Sequence, residues 1–256
     1  MKRCLVLGKP NAGKTLFVLH FAEFLRAREV TVMFQEPVVT LQHPQKGTGA
    51  DSNGHAGPAI SGGSGLVTSS GLVTSSDPNA IGRDPGAGSS PRASRSLRIY
   101  KIQDAVRDLT GPCPHTTRCL QSIILQLPAG KGKKTVELID TSGLTDGIHQ
   151  DAGIRRAMSQ TLSSVRSAHI ILHIIDASKV DRRGAVEALG DVDYQVAAFA
   201  QMRGGYYILA NKIDLPGARD GVKKIKEDFP GHIVIPISAL YKEGFKEVKA
   251  FVLREL

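Results

Sequence analysis

The sequence has no tryptophan, and aromatic residues make up only 5% of it. Base-stacking platforms for nucleic acid are built from aromatic faces, so this composition argues against one. Cysteine is scarce as well, three in 256 residues, which points to a reducing compartment and not to a disulfide framework. Long apolar runs are missing: His169–Ile175 is strand-sized, far short of a membrane span. Met1-Lys2-Arg3 has the charge of a leader, but the apolar run behind it stops at Gly8, so no secretory signal is expected. A soluble, cytoplasmic protein is the expectation. Acidic residues are in deficit, 24 against 33 Lys and Arg, for a net charge of +9 and a pI near 9.6. An acidic partner fits that balance, RNA or an anionic surface, and contact with RNA would run mainly through phosphates.

What the chain does have is Gly8-Lys9-Pro10-Asn11-Ala12-Gly13-Lys14-Thr15, the pattern G-x-x-x-x-G-K-[ST]. Cys4–Leu7 before it reads as a buried strand, and Leu16–Leu25 after it as a helix apolar nearly all round. In that setting the glycines let successive N–H groups of the loop, Ala12 and Gly13 included, curl around phosphate oxygens. Lys14 adds a charge for the β- and γ-phosphates, the Thr15 hydroxyl is placed for Mg²⁺, and the helix opening through Leu16 aims its positive end at the same anions.

Val30–Gln35 has strand composition. From about Gln42 to Arg95, Gly, Ser, Pro, Asn and Asp dominate, and the hexamer at 65–70 is repeated at 71–76. Such a segment buries too little apolar surface to offset its ordering entropy, so 42–95 is expected to be a disordered insertion in one domain spanning 1–256. Beyond it, Ser96 as N-cap and the stripe Leu97, Ile99, Ile102, Val106, Leu109 predict an amphipathic helix, lying on the core or docking a partner. Two runs, Leu120–Leu127 and Thr135–Asp140, predict a hairpin with a basic loop at 128–133. Helices are predicted at Ile154–Ser167, Asp191–Met202, Val222–Asp228 and Glu243–Leu256, and strands at His169–Asp176, Tyr206–Ala210 and His232–Ile237. The alternation predicts an α/β fold, a three-layer sandwich whose mostly parallel sheet takes one antiparallel edge strand from the hairpin.

Asp140-Thr141-Ser142-Gly143 ends a predicted strand in D-x-x-G. Asp140 falls where Mg²⁺ needs an acidic partner, and Gly143 lets a backbone N–H approach a γ-phosphate. Asn211-Lys212-Ile213-Asp214 follows another strand; the Asp214 carboxylate can accept from guanine N1–H and its amino group together, a donor pair adenine lacks. Ser238-Ala239-Leu240, after the last strand, is placed to support the base through backbone N–H groups.

Together GKPNAGKT, the stretch Pro114–Arg118, DTSGL, NKID and SAL resemble a Ras-like G domain of the P-loop NTPase fold, with details similar to the Era/TrmE branch of bacterial-type GTPases. The resemblance covers 1–41 and 96–256. It implies Mg²⁺-dependent hydrolysis of GTP to GDP in a molecular switch, with a task in ribosome assembly or RNA maturation. It implies Thr117 as the switch I threonine on Mg²⁺, with Thr116 as runner-up, and Asn11 as holder of a monovalent cation, K⁺. Leu144 stands where Ras-like enzymes carry a water-orienting Gln, so catalysis is expected to lean on the cation or on a ribosomal, RNA or protein partner. The alternative is a guanine-nucleotide-controlled protein-binding module with negligible hydrolysis.

Other polar residues are read more plainly. Cys113, His115 and Cys119 lack a clear fourth partner for zinc. His169 and His173 are expected to be packing or hydrogen-bonded residues, His149 an exposed loop residue more than a catalytic helper, and Lys223, Lys224 and Lys226 a solvated helix face.

Overall fold

Alternation in the first strand sets up the layers. In β1 (Lys2–Leu7), Cys4 and Val6 point to one side of the sheet and Leu5 and Leu7 to the other, all fully buried. A strand buried on both faces belongs in the middle of a sheet, and β1 lies there. The computed structural model describes residues 1–27, 29–35, 95–110, 120–129, 132–147, 150–180, 189–201 and 204–256. These belong to one unit, Met1–Val38 with Ala93–Leu256; the second unit, Val39–Arg92, lies outside the described residues, as does nearly all of the segment at 42–95.

In chain order the elements are β1, α1 (Lys14–Phe24), β2 (Glu29–Gln35), β3 (Arg95–Lys101), α2 (Ile102–Leu109), β4 (Leu120–Ala129), β5 (Gly132–Asp140), α3 (Ala152–Ser167), β6 (Ile170–Asp176), α4 (Asp191–Gln201), β7 (Tyr206–Asn211), α5 (Ala218–Asp228), β8 (Ile233–Pro236) and α6 (Phe245–Glu255). The eight strands lie in the order β3-β2-β4-β5-β1-β6-β7-β8. Pairing is parallel from β5 through β1, β6 and β7 to β8, and antiparallel for β4–β5, β2–β4 and β2–β3. Helices α1, α2 and α6 pack on one face, with Phe245 set edge-on to Phe17, Phe21 and Phe24 at 5.3, 5.6 and 5.8 Å between centroids. Helices α3, α4 and α5 pack on the other. This is a three-layer α/β sandwich.

Two expectations change. The sheet does have one antiparallel edge, but it is β3, while the β4–β5 hairpin sits inside beside β1. The amphipathic helix begins only at Ile102: residues from Arg95 to Lys101 form a strand, matched to β2 from Glu29↔Lys101 to Gln35↔Arg95. Leu97 and Ile99 also fit a period of two, and seven paired positions along β2 outweigh a marginal helical turn. Ser96 therefore caps nothing, and Leu97 and Ile99 stay exposed. The hairpin strands run on to Ala129↔Gly132, leaving a tighter connection than 128–133. α3 opens at Ala152 because the Asp151 carboxylate accepts from the Gly153 and Ile154 N–H groups. No described helix is long and apolar enough to cross a membrane.

Candidate nucleotide-binding site

The phosphate loop closes at the end of β1, where the backbone must turn into α1. Gly13 is the N-cap of α1 at φ 96°, and a Cβ there would lie 2.4 Å from Asn211 Nδ2, so only glycine fits. The first helical bond runs from Phe17 N–H to Gly13 O at 2.9 Å, which leaves the first-turn amides without intrahelical acceptors. Asn11 adopts the left-handed conformation at φ 60°. Lys14 is buried, and its Nζ donates to Lys9 O at 2.8 Å, inside the loop itself. Burial pulls its ammonium down to about 8, against the opposing charge of Asp140. Leu16 packs against the core beneath the loop.

Asp140 ends β5 directly beside Val6 of β1. The Thr15 hydroxyl donates to its Oδ2 at 2.6 Å, and its buried Oδ1 has no hydrogen-bond partner. Burial pushes the carboxyl up to about 6, with the Thr15 hydroxyl and the Lys14 charge pulling the other way. A buried carboxylate with one orphaned oxygen, touching a hydroxyl, is a hard oxygen donor set that fits Mg²⁺. Thr116 and Thr117 lie outside the described residues, as do His149, Cys113, His115 and Cys119. Among the described residues no cluster of three or more His, Cys, Asp or Glu could hold a metal.

Past Asp140 the chain stays on the loop's flank. The Thr141 hydroxyl donates to Val6 O at 2.9 Å, and the Leu144 N–H to Gly8 O at 3.1 Å. Gly143 rests on Pro10: an added Cβ would lie 2.5 Å from the Pro10 nitrogen. The Leu144 side chain is buried in the core layer shared with Leu5, Leu7 and Val165.

At the other end, Asn211 is buried and faces inward. Its Nδ2 donates to Ala12 O at 2.7 Å, and its Oδ1 accepts from the Ala239 N–H at 2.9 Å. One side chain thus ties the phosphate loop to the Ser238–Leu240 turn. Lys212, left-handed at φ 67°, sends Nζ to Asp176 Oδ2 at 2.6 Å. Asp214 is exposed, and the Ser238 hydroxyl donates to its Oδ1 at 2.6 Å. The Tyr241 N–H donates to that same hydroxyl at 3.2 Å. Ala239 is buried and Leu240 exposed. The motif residues, spread from Gly8 to Leu240 in sequence, meet at the carboxyl ends of β1, β5, β7 and β8, where open α/β sheets place ligands.

Several contributors carried no signal in the motifs. His20 donates an imidazole N–H to Ala239 O at 2.7 Å from the first helix. Asp176, closing β6, holds Lys212. Lys9 Nζ lies 3.1 Å from Asp146 and 3.9 Å from Asp193. His173, expected to be hydrogen-bonded, is buried between Asp193 Oδ1 at 2.9 Å and the Tyr206 hydroxyl at 2.8 Å. His169 Nδ1 accepts from the Arg3 N–H at 3.2 Å. Lys223 and Lys224 pair along α5 with Asp220 and Asp228, as a solvated face would.

The chain is similar to known proteins in both sequence and fold. A family model described as "50S ribosome-binding GTPase" matches residues 95–212. The GTPase Obg of Desulforudis audaxviator is 32% identical over 164 residues, 63% of this chain and 37% of that protein. The GTPase Obg of Ruminiclostridium cellulolyticum is 30% identical over 169 residues, 64% of this chain and 38% of that protein. The chain therefore spans well under half the length of these two relatives. Among solved structures it resembles a variant of Aquifex aeolicus Era bound to GDP.AlF4-, with a TM-score of 0.54 and 15% identity over 100% of this chain and 57% of that one. It also resembles Era in complex with MgGDPNP and nucleotides 1506–1542 of 16S ribosomal RNA, with a TM-score of 0.55 and 15% identity over 100% and 56%. Sequence likeness runs to Obg and structural likeness to Era, so the two share only the coarser grouping. In fold and in sequence the chain is thus similar to bacterial-type P-loop GTPases.

Proposed function

We propose that residues 1–256 form one G domain, with 42–95 an insertion in it, which binds GTP and GDP and hydrolyses GTP to GDP and phosphate as a molecular switch. The observation that carries the reading is Asn211, bonded at once to Ala12 O and the Ala239 N–H. It fixes the phosphate-gripping end and the base-reading end at a set separation, as one nucleotide requires. In this reading Asp214 accepts from guanine, Ala239 and Leu240 flank the base, and Asn211 and Lys212 brace the pocket. The amides of Ala12 through Leu16, with Lys14, hold the phosphates. Thr15, Asp140 and Thr117 (or Thr116) hold Mg²⁺, which when bound neutralises charge on the β- and γ-phosphates. Water attacks the γ-phosphorus in line as the bond to the GDP oxygen breaks, and Lys14 and the Gly143 N–H stabilise the charge that develops. Asn11 holds K⁺.

A ribosomal subunit or RNA is the proposed partner. The net charge of +9, the family description and the RNA-bound Era structure support it. The cytoplasm is the proposed location. The buried Leu144 favours a second reading, a guanine-nucleotide-controlled binding module with negligible hydrolysis, since no side chain there orients water. Multiple-turnover phosphate release separates the two. Hydrolysis stimulated by KCl or by ribosomal subunits, with the KCl effect lost in Asn11→Ala, is expected of the switch. Release indistinguishable from buffer under all of these conditions leaves the binding module. Co-sedimentation with subunits, stronger with a GTP analogue than with GDP and weakened by salt, tests the partner.

A further inference from the structure

The second residue of the phosphate loop, Lys9, carries a charge that nucleotide binding as proposed above does not use. Its side chain is only 17% exposed and turns away from the loop toward two carboxylates. One belongs to Asp146, two residues beyond Leu144, with Nζ to Oδ2 at 3.1 Å. The other is the buried Asp193 in the first turn of α4, at 3.9 Å. Asp146 is held from a second side, because the Val192 N–H at the start of α4 donates to its Oδ1 at 2.9 Å. That hydrogen bond is the chief reason its carboxyl titrates below the usual range. The fit around it is close: a Cβ on Gly190 would lie 1.9 Å from Asp146 Oδ2. Asp193 is anchored in turn by the Gly190 N–H at 2.9 Å and by His173. Asp146 therefore bridges the phosphate loop and the amino end of α4.

The bridge bears on the residues just before it. Within 143–147, Gly143 lies against Pro10 with no room for a Cβ, and Leu144 is bonded to Gly8 O. Lys14 meanwhile donates to the loop's own carbonyl at Lys9. In the nucleotide reading proposed above, the γ-phosphate takes both Lys14 and the Gly143 N–H and draws this segment from Pro10, whereas a diphosphate ends short of it. Whatever holds Asp146 in place thus opposes GTP and leaves GDP alone. A ligand shifts such an equilibrium only by its differential affinity for the two arrangements.

We propose that Lys9, Asp146 and the first turn of α4 form a latch that holds residues 143–147 on the flank of the phosphate loop and biases the site toward GDP. The latch rests on the nucleotide reading given above and adds its regulation. Lys9 and Asp146 are positioning residues, acting through Gly143.

The test is equilibrium titration of the full chain with fluorescent GDP and a fluorescent non-hydrolysable GTP analogue, in Mg²⁺ at low salt. In Lys9→Met and Asp146→Asn, the ratio of the two affinities should move about two- to fivefold toward the analogue, the range for a partly exposed ion pair. Lys9→Met/Asp146→Asn should move it by clearly less than the sum of the two changes, because both break the Lys9–Asp146 pair. Lys9→Arg should restore the wild-type ratio, and high salt should move the wild type toward the variants. Variants that bind both nucleotides at an unchanged ratio sink the latch alone, as does a double variant whose shift is the sum of the singles. Wild-type protein that binds neither nucleotide sinks the site reading, and the latch with it.

Discussion

Two carboxylates in the site differ in surroundings, and the difference assigns them different work. Asp140 is buried, touches one hydroxyl and leaves one oxygen orphaned, so its ionised form is held at a desolvation cost that a divalent cation would offset. Asp214 stands in solvent with the Ser238 hydroxyl fixing one oxygen, free of such a cost and open to a ligand's donors. Asp140→Asn should therefore leave the protein folded but remove most of the Mg²⁺ dependence of GDP affinity. EDTA should weaken wild-type binding by about tenfold, the order of one charge-assisted contact, and the variant hardly at all. A variant that stays as EDTA-sensitive as the wild type would place the metal elsewhere. Asp214→Asn should weaken GTP by roughly 1.5–3 kcal/mol, the range for hydrogen bonds to a charged group, and improve xanthosine triphosphate, measured by competition titration. An unaltered base preference would refute the base-reading role.

Whole elements were legible where one physical requirement dominated. The runs at Cys4–Leu7 and Ile170–Ile175 are apolar without alternation and became central parallel strands. The region from Leu97 was ambiguous because Leu97 and Ile99 satisfy both a period of two and a helical stripe. What decided it was the need of β2 for a partner, which no local window contains. The motif residues stood out in the sequence because, in the proposed reading, phosphate, magnesium and guanine each demand a particular side chain. The residues that hold them, His20, Asp176 and Asp193, answer only to neighbours distant in sequence and left no spacing to read. Asn211 belongs to both groups. Its motif suggested a ligand contact, whereas its bonds join two elements of the protein. Asn211→Ala would strand the Ala12 carbonyl and the Ala239 N–H, both buried, each worth about 1–3 kcal/mol when left unpaired. Nucleotide-free protein should lose roughly 2–4 kcal/mol in urea unfolding. Loss of affinity with no loss of nucleotide-free stability would show instead that Asn211 acts by touching the ligand.

At the scale of the whole molecule, the topology locates the long low-complexity segment. Gln35 and Arg95 are register partners in the antiparallel pair β2–β3, so residues 36–94 start and finish at facing positions of one hairpin. The two strand ends are already as close as a short turn would bring them, and neighbouring strands lie about 4.8 Å apart in any sheet. A closure this local can carry a long segment because the entropic cost rises only with the logarithm of length, ~2 kcal/mol for a tenfold change. The phosphate loop on β1–α1 and the motifs on β5, β7 and β8 sit on strands other than the two it joins. Replacing residues 36–94 by a short Asn-Gly turn of the kind that closes hairpins should therefore raise the stability by ~3 kcal/mol and the melting temperature by several degrees. GDP affinity should stay within about twofold, since the motifs are carried by strands other than β2 and β3. Thermal melts and a fluorescent-GDP titration of the shortened chain check both numbers. A lower melting temperature would mean that 36–94 contributes packing to the fold and is no mere insertion, and loss of GDP binding at unchanged stability would make it part of the site.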